Sequence, residues 1–161
     1  MTLVPIIPNN DKGRKKLYSI LKYDFCKDSQ IDSSLLNYIR VAFILFSRKN
    51  TIIGIVGLYN KFGTYELFIA IDKRSRNKGF GKKLMKKIIT WSQKNNKFFF
   101  IQTFNTKPYR SALNLYLSFG FNKIFYMGKR IILMKKDYTS FIIIYRVLLF
   151  YLSSLKYILK K

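Results

Sequence analysis

The sequence predicts an α/β fold built on a single mixed, mostly antiparallel sheet flanked by helices. Three observations predict it. Short β-rich apolar runs alternate with amphipathic helical segments, two pairs of runs are joined by tight polar turns, and one run leads through a glycine pair into a helix. At 161 residues the chain has single-domain size and can bury a core without disulfides or metal.

Each element has its own signal. Leu3–Ile7 reads as a short first strand, and Pro5 places it at a sheet edge, where a missing N–H costs no ladder bond. Asp11 caps a helix to about Lys22, with Leu17, Ile20 and Leu21 as its apolar stripe. Asp32 or Ser33 starts a second, shorter helix ending near Arg40. Val41–Ser47 and Thr51–Tyr59 make a hairpin through Arg48, Lys49 and Asn50. Gly63 marks the next turn, and Tyr65–Asp72 is a nearly continuous apolar run suited to a central strand. Lys73–Lys78 is a basic loop that Asp72 caps. Gly79 to about Asn95 is a helix with Leu84, Met85, Ile88, Ile89 and Trp91 inward and Lys82, Lys83, Lys86, Lys87 and Lys94 outward. Phe98–Thr103 is another buried strand. Pro108 suits the first position of a helix that Gly120 stops after Phe119. Ile124–Met127 and Ile131–Met134, joined by Gly128 and Lys129, close the order β-α-α-β-β-β-α-β-α-β-β.

Composition narrows the chemistry. With no histidine and one cysteine, Ser–His–Asp, Cys–His and His-ligated metal sites are excluded, as are disulfide frameworks and Cys-rich zinc sites. No metal is expected. Catalysis has to run on Tyr, Ser, Lys, Cys, backbone amides or a few carboxylates. The net charge of +24 would attract nucleic acid, anionic membrane or phosphorylated ligands without regard to sequence. The basic residues are nevertheless scattered through every segment, and a chain rich in Lys, Asn, Ile, Phe and Tyr is what A/T-rich codons specify. Charge alone names no partner.

The ends differ. Thr2–Ile7 is too short for a signal-peptide core and is broken by Pro5 and Pro8, so a cytoplasmic location is expected. Near the C-terminus, Phe141–Leu155 is nearly all apolar, interrupted by Arg146 and followed by Lys156, Lys160 and Lys161. That stretch is short of the ~20 residues that span a bilayer. Three roles stand open for residues 138–161: a C-terminal apolar helix packed on the domain or on a partner subunit, an interfacial or tail-anchor helix touching a membrane, and a drifted extension. The oligomeric state is not readable.

Arg76, Asn77, Lys78, Gly79, Phe80 and Gly81 follow a predicted strand and open a predicted helix. Two glycines let the backbone turn tightly and present free N–H groups, and the helix N-terminus adds its positive dipole end. Arg76, Lys78 and Lys82 add compensating charge for a pyrophosphate. The segment is not a Walker A loop, since Lys83 stands where Ser or Thr would hold magnesium, and Leu84 takes the third glycine's place of a dinucleotide fingerprint. The alternative is a strand-to-helix turn with surface lysines.

In context, strand, R-x-x-G-x-G (Arg76, Gly79, Gly81), amphipathic helix, strand, and a helix with Ala112, Leu115 and Tyr116 ending in Gly120-Phe121 resembles the GNAT acetyltransferase superfamily. The resemblance covers about Leu3 to Asp137 and implies a domain over residues 1–137. It implies acetyl-coenzyme A as cosubstrate and transfer of its acetyl group to an amine. It assigns Ile69, Ala70 and Ile71 to the strand whose backbone holds the pantetheine and turns one amide toward the thioester oxygen. The pyrophosphate then falls to residues 76–82. Tyr116 matches the tyrosine that protonates the departing thiolate. Glu66, the only glutamate, lies on the strand where some members carry a general base, about one residue out of register; Gln102 and Thr103 stand where others carry theirs. Asn105 sits near the family's coenzyme-contacting asparagine, but seven residues before Ala112 rather than three, with Thr106–Tyr109 as a small insertion. Cys26, without histidine, reads as an ordinary thiol and not an acyl carrier. Two functions follow: a direct N-acetyltransferase whose acceptor is a protein N-terminal amine, such as that of a ribosomal protein, or a small-molecule amine; and a basic RNA- or ribosome-associated binding protein that keeps the fold without catalysis.

Overall fold

In a computed structural model of the chain, which describes residues 1–6, 11–20, 38–61 and 63–135, the predicted apolar runs become strands. The described elements are β1 (Thr2–Ile6), α1 (Asp11–Ile20), β2 (Ile39–Phe46), β3 (Ile52–Lys61), β4 (Thr64–Ile71), α2 (Phe80–Lys94), β5 (Phe99–Phe104), α3 (Arg110–Ser118), β6 (Phe121–Met127) and β7 (Arg130–Lys135). The strands form a seven-stranded sheet in the order β1-β2-β3-β4-β5-β7-β6, with β1 at the edge where Pro5 predicts it. The expected fold class is therefore the observed one. By backbone contacts the chain divides into two units, Met1–Tyr59 with Leu67–Lys97, and Asn60–Glu66 with Phe98–Lys161.

In the first unit β1 runs antiparallel to β2, with Thr2 opposite Phe46 and Ile6 opposite Ala42. β2 runs antiparallel to β3, and the Ser47–Thr51 turn closes that hairpin through Ser47 N–H to the Thr51 carbonyl at 2.8 Å and a left-handed Asn50. Val41–Leu45 are buried without alternation, so both faces of β2 are covered. α2 lays Leu84, Met85, Ile88 and Ile89 inward, as its 3.6-residue period requires, and packs on β2. Its end falls at Asn95, whose side chain donates to the Trp91 carbonyl at 2.8 Å.

In the second unit β7 pairs antiparallel with β5 and with β6, and α3 packs on β5 and β6. The Phe99 and Phe121 rings meet at 5.4 Å in this core. Gly120, with φ +78, ends α3 and donates its N–H to the Leu117 carbonyl at 3.0 Å.

Three boundaries differ from expectation. Ile39 and Arg40 begin β2, so the second helix does not reach Arg40; its remainder, residues 32–37, lies outside the described residues. β6 starts at Phe121 and not Ile124, because a register shift between Lys123 and Phe125 breaks the two-residue alternation that marks a strand in sequence. Pro108 sits in a short 3-10 turn, Lys107–Tyr109, and α3 begins only at Arg110; the fixed φ of proline suits either turn. Cys26 and residues 136–161, with the boundary at Asp137, also lie outside the described residues. No helix among the described residues is long and apolar enough to cross a membrane.

Gly54 fixes how closely β3, β4 and α2 meet. A Cβ there would lie 2.6 Å from Ile71 Cδ1, 2.9 Å from the Ala70 carbonyl oxygen and 3.1 Å from Leu84 Cδ1. A backbone carbonyl does not move aside as a side-chain terminus does, so Gly54→Ala should cost about 1–3 kcal/mol through overpacking. Urea denaturation checks this; an unchanged midpoint would mean that β4 can shift away from β3.

Candidate active site

β4 carries the first group of predicted site residues. Leu67 and Phe68 are buried, whereas Ile69, Ala70 and Ile71 are half-buried at the strand's end. The Asp72 N–H donates to the Ile53 carbonyl at 2.9 Å, so the ladder to β3 continues one residue past β4. In an antiparallel ladder the N–H and C=O of one residue point to the same side, and successive residues alternate. Asp72 and Ala70 therefore address β3, while the backbone groups of Ile69 and Ile71 point away from it. Of the three residues expected to face a ligand, Ala70 turns its backbone groups toward β3, and Ile69 and Ile71 turn theirs to the other side of β4.

The chain then reverses within a few residues. Asp72 does cap the basic loop: its carbonyl accepts from Ser75 N–H at 2.9 Å and its carboxylate from Ser75 Oγ at 3.1 Å. Arg76 folds back, its Nε donating to the Ile71 carbonyl at 3.2 Å. Asn77 (φ +61) and Gly79 (φ +80) are both left-handed. A Cβ at Gly79 would meet nothing within 4 Å, so glycine is required there by conformation and not by space. α2 follows with Gly79 as N-cap, no side-chain cap bond and no acidic residue in its first turn. Its first intrahelical bond here runs from Lys83 N–H to the Gly79 carbonyl at 3.2 Å, which leaves the N–H groups of Phe80, Gly81 and Lys82 without helical acceptors. Arg76, Asn77, Lys78, Gly79 and Lys82 are exposed, and Phe80 and Gly81 are half-buried. Directed amides, a dipole's positive end and three nearby cations fit a pyrophosphate, so residues 76–82 can hold the diphosphate of a coenzyme A.

The second unit holds the candidates for proton transfer. Glu66 is the third residue of β4 and only 6% exposed, so it is a buried group and not a solvated strand-end carboxylate. Thr64, two residues earlier and therefore on the same face, is buried with its hydroxyl unpartnered among the described residues. Sequence reasoning missed Thr64, because one threonine in a strand carries no signal. Tyr116 is 6% exposed on the inner side of α3 with Leu113. Burial alone pushes its phenol well above the usual tyrosine range. Asn105 has an exposed side chain, and its N–H is bonded to the Lys129 carbonyl at 2.9 Å. The Thr106–Tyr109 insertion is a turn closed by Tyr109 N–H on the Thr106 carbonyl at 2.9 Å, with the Tyr109 and Phe104 rings 5.1 Å apart.

The fold is one found among acyltransferases. The structure superposes on an IAA acetyltransferase from Bacillus cereus (TM-score 0.61, 20% identity, 83% of this chain and 97% of that one). It is also similar to the ribosomal-protein-S18-alanine N-acetyltransferase from Escherichia coli (0.60, 16%, 83% and 93%) and to a spermidine N-acetyltransferase from Vibrio cholerae (0.61, 16%, 87% and 98%). No curated protein matches the chain in sequence. The model of the Acetyltransferase (GNAT) family matches residues 15–121, and the chain belongs to that family, whose members use acetyl- or acyl-coenzyme A to acylate amines.

The raised phenol has a measurable consequence. A tyrosine whose folded-state pKa exceeds its unfolded value adds stability that is complete below pH about 10 and is lost as pH rises beyond it toward the folded value. Near-ultraviolet titration to ~pH 11 should leave Tyr116 neutral, so Tyr116→Phe should leave the tyrosinate amplitude unchanged. A loss of one tyrosine's amplitude in that variant would place the phenol in water.

Proposed function

We propose that residues 1–137 form an N-acetyltransferase domain that moves the acetyl group of acetyl-coenzyme A directly to a primary amine. The observation that carries this reading is the turn at Asn77 and Gly79 into an α2 N-terminus with three free amides and no acid in its first turn. Arg76, Asn77, Lys78, Gly79, Phe80, Gly81 and Lys82 hold the pyrophosphate, and β4 backbone groups hold the pantetheine. Asn105 remains a coenzyme contact only in this reading. The coenzyme supplies an activated thioester. Ile69 and Ile71, with backbone turned away from β3, offer the amide that stabilises negative charge on the carbonyl oxygen. Glu66 accepts the proton lost by the attacking nitrogen as the carbon–nitrogen bond forms. Tyr116 gives its proton to the sulfur as the carbon–sulfur bond breaks, and its burial keeps that proton in place beforehand.

The acceptor we propose is a protein N-terminal amine. An α-amine with a pKa of about 8 is about one-tenth neutral at pH 7, whereas a lysine-type or polyamine nitrogen near 10.4 is neutral in less than about one molecule in a thousand and asks far more of a base. Glu66 is the only glutamate, and a chain of charge +24 repels a polycation. One structurally similar protein is a ribosomal-protein-S18-alanine N-acetyltransferase. Another acetylates spermidine, so a small amine is the competing acceptor. A mass-spectrometric screen of N-terminal peptides against spermidine separates them; acetylated spermidine alone would reverse the choice.

The cradle is tested at Gly81, the second residue of α2. Gly81→Val should weaken coenzyme A binding by at least ~100-fold in calorimetry, because a β-branched side chain crowds amides that must approach phosphate. Unchanged affinity with a native circular dichroism spectrum would remove the assignment.

The proton donor is tested with Tyr116→Phe, which keeps the ring. Its kcat should fall about 10²–10⁴-fold with little change in coenzyme affinity, while Cys26→Ala should be nearly silent because direct attack needs no acyl-enzyme. Full activity in the first variant and none in the second would overturn both the residue and the one-step route.

A further inference from the structure

The outward side of α2 has a second feature that the acyl donor does not use. Lys83, Lys86, Lys87 and Thr90, with Leu3 of β1, line an open groove of about 430 Å³. Lys94 continues the row, and all four lysines are exposed. At 3.6 residues per turn, Lys83, Lys87 and Lys94 fall within roughly 40° of one another around the helix, making a stripe about 16 Å long. Lys87 holds its ammonium 5.4 Å from the Phe43 ring centroid, which keeps it beside the groove. Among the described residues none of the four has an acidic partner, and no Asp or Glu lies between Asp72 and Asp137.

We propose that this groove and stripe dock the phosphate backbone of a nucleic acid, in addition to the acyl transfer. A stripe about 16 Å long spans several successive phosphates of one strand. The groove is shallow and open, so a strand can lie along it beside the lysine row. Leu84, Met85, Ile88 and Ile89 of α2 are buried, and Phe80 and Trp91 beside the stripe are half-buried, too little exposed apolar surface to lay a helix face into lipid. Among the described residues the exposed large aromatics, Tyr38, Phe98, Tyr109 and Tyr126, are on other segments and Trp91 is half-buried, so the contact reads charge more than bases. Lys86, Lys87 and Lys94 lie beyond the first turn of α2, so the strand and the coenzyme do not compete for the same amides.

Fluorescence anisotropy with a labelled single-stranded RNA, across a salt series, tests the proposal. Lys86→Gln/Lys87→Gln/Lys94→Gln should bind at least about tenfold more weakly near 0.1 M salt and lose about 2–3 from the slope of log affinity against log salt. Lys107→Gln/Lys123→Gln/Lys129→Gln, an equal charge loss in the other unit, should bind within about threefold of the parent chain. The double variant Lys86→Gln/Lys94→Gln leaves the Lys87–Phe43 contact intact and should fall between the parent and the α2 triple. Equal weakening by both triples would mean that net charge alone attracts RNA and would overturn the site. A double variant indistinguishable from the parent would do the same. Stronger binding to anionic phospholipid vesicles than to RNA at equal phosphate concentration would overturn the partner.

Discussion

The missing side chain at Gly54 sets the distance on which the first unit depends. β3 closes against the Ala70 carbonyl and the Ile71 side chain at that point, and Leu84 of α2 reaches the same spot. Strand, strand and helix thus meet at one atom's clearance. A methyl group there would push β4 outward, and β4 leads through the 72–79 turn into α2. The orientation of the Ile69 and Ile71 backbone follows from the same approach, because it is the β3 ladder, continued by Asp72, that fixes which amides face away.

The turn after β4 then works by backbone conformation more than by side chains. Left-handed Asn77 and Gly79 bring the chain from the strand's end to the helix's start, and Ser75 and Arg76 pin it to Asp72 and Ile71. The cations around it can be exchanged among Lys and Arg with little geometric consequence, whereas φ +80 at Gly79 tolerates no ordinary residue without strain. The anion-receiving character of α2 is accordingly a property of its unpaired N–H groups, and the lysines strengthen it.

Most of the fold was legible because the periods were clean. Leu84, Met85, Ile88 and Ile89 recur at helical spacing and are buried on one side of α2; Val41–Leu45 run apolar without alternation and are covered on both faces. Legibility failed where one residue broke a period. The register shift between Lys123 and Phe125 hid the first half of β6. In the site, the glycine turn was legible from two glycines between a strand and a helix, whereas Tyr116 was singled out by the resemblance of its helix to the family's and not by its spacing alone. The alternation that separates Ile69 and Ile71 from Ala70 was not legible, because it depends on which side of β4 its partner strand lies. Nor was the Thr64 hydroxyl, buried with no partner among the described residues, a property that no local pattern records.

A chain without histidine and with one glutamate has few side chains for proton chemistry. The geometry removes most of that difficulty. A backbone N–H has no pKa to be disturbed by a charge of +24, and its position is fixed by the ladder. Tyr116 is governed by burial, which holds the phenol neutral. The groups assigned to charge stabilisation and proton donation are thus those least sensitive to the chain's unusual composition. Only the proton acceptor is exposed to it, and there the demand is small if the attacking nitrogen is an α-amine already partly neutral near pH 7. Lysine accumulation on the surface of α2 can therefore proceed without cost to the transfer step, and it leaves the outer face of that helix available for a polyanion.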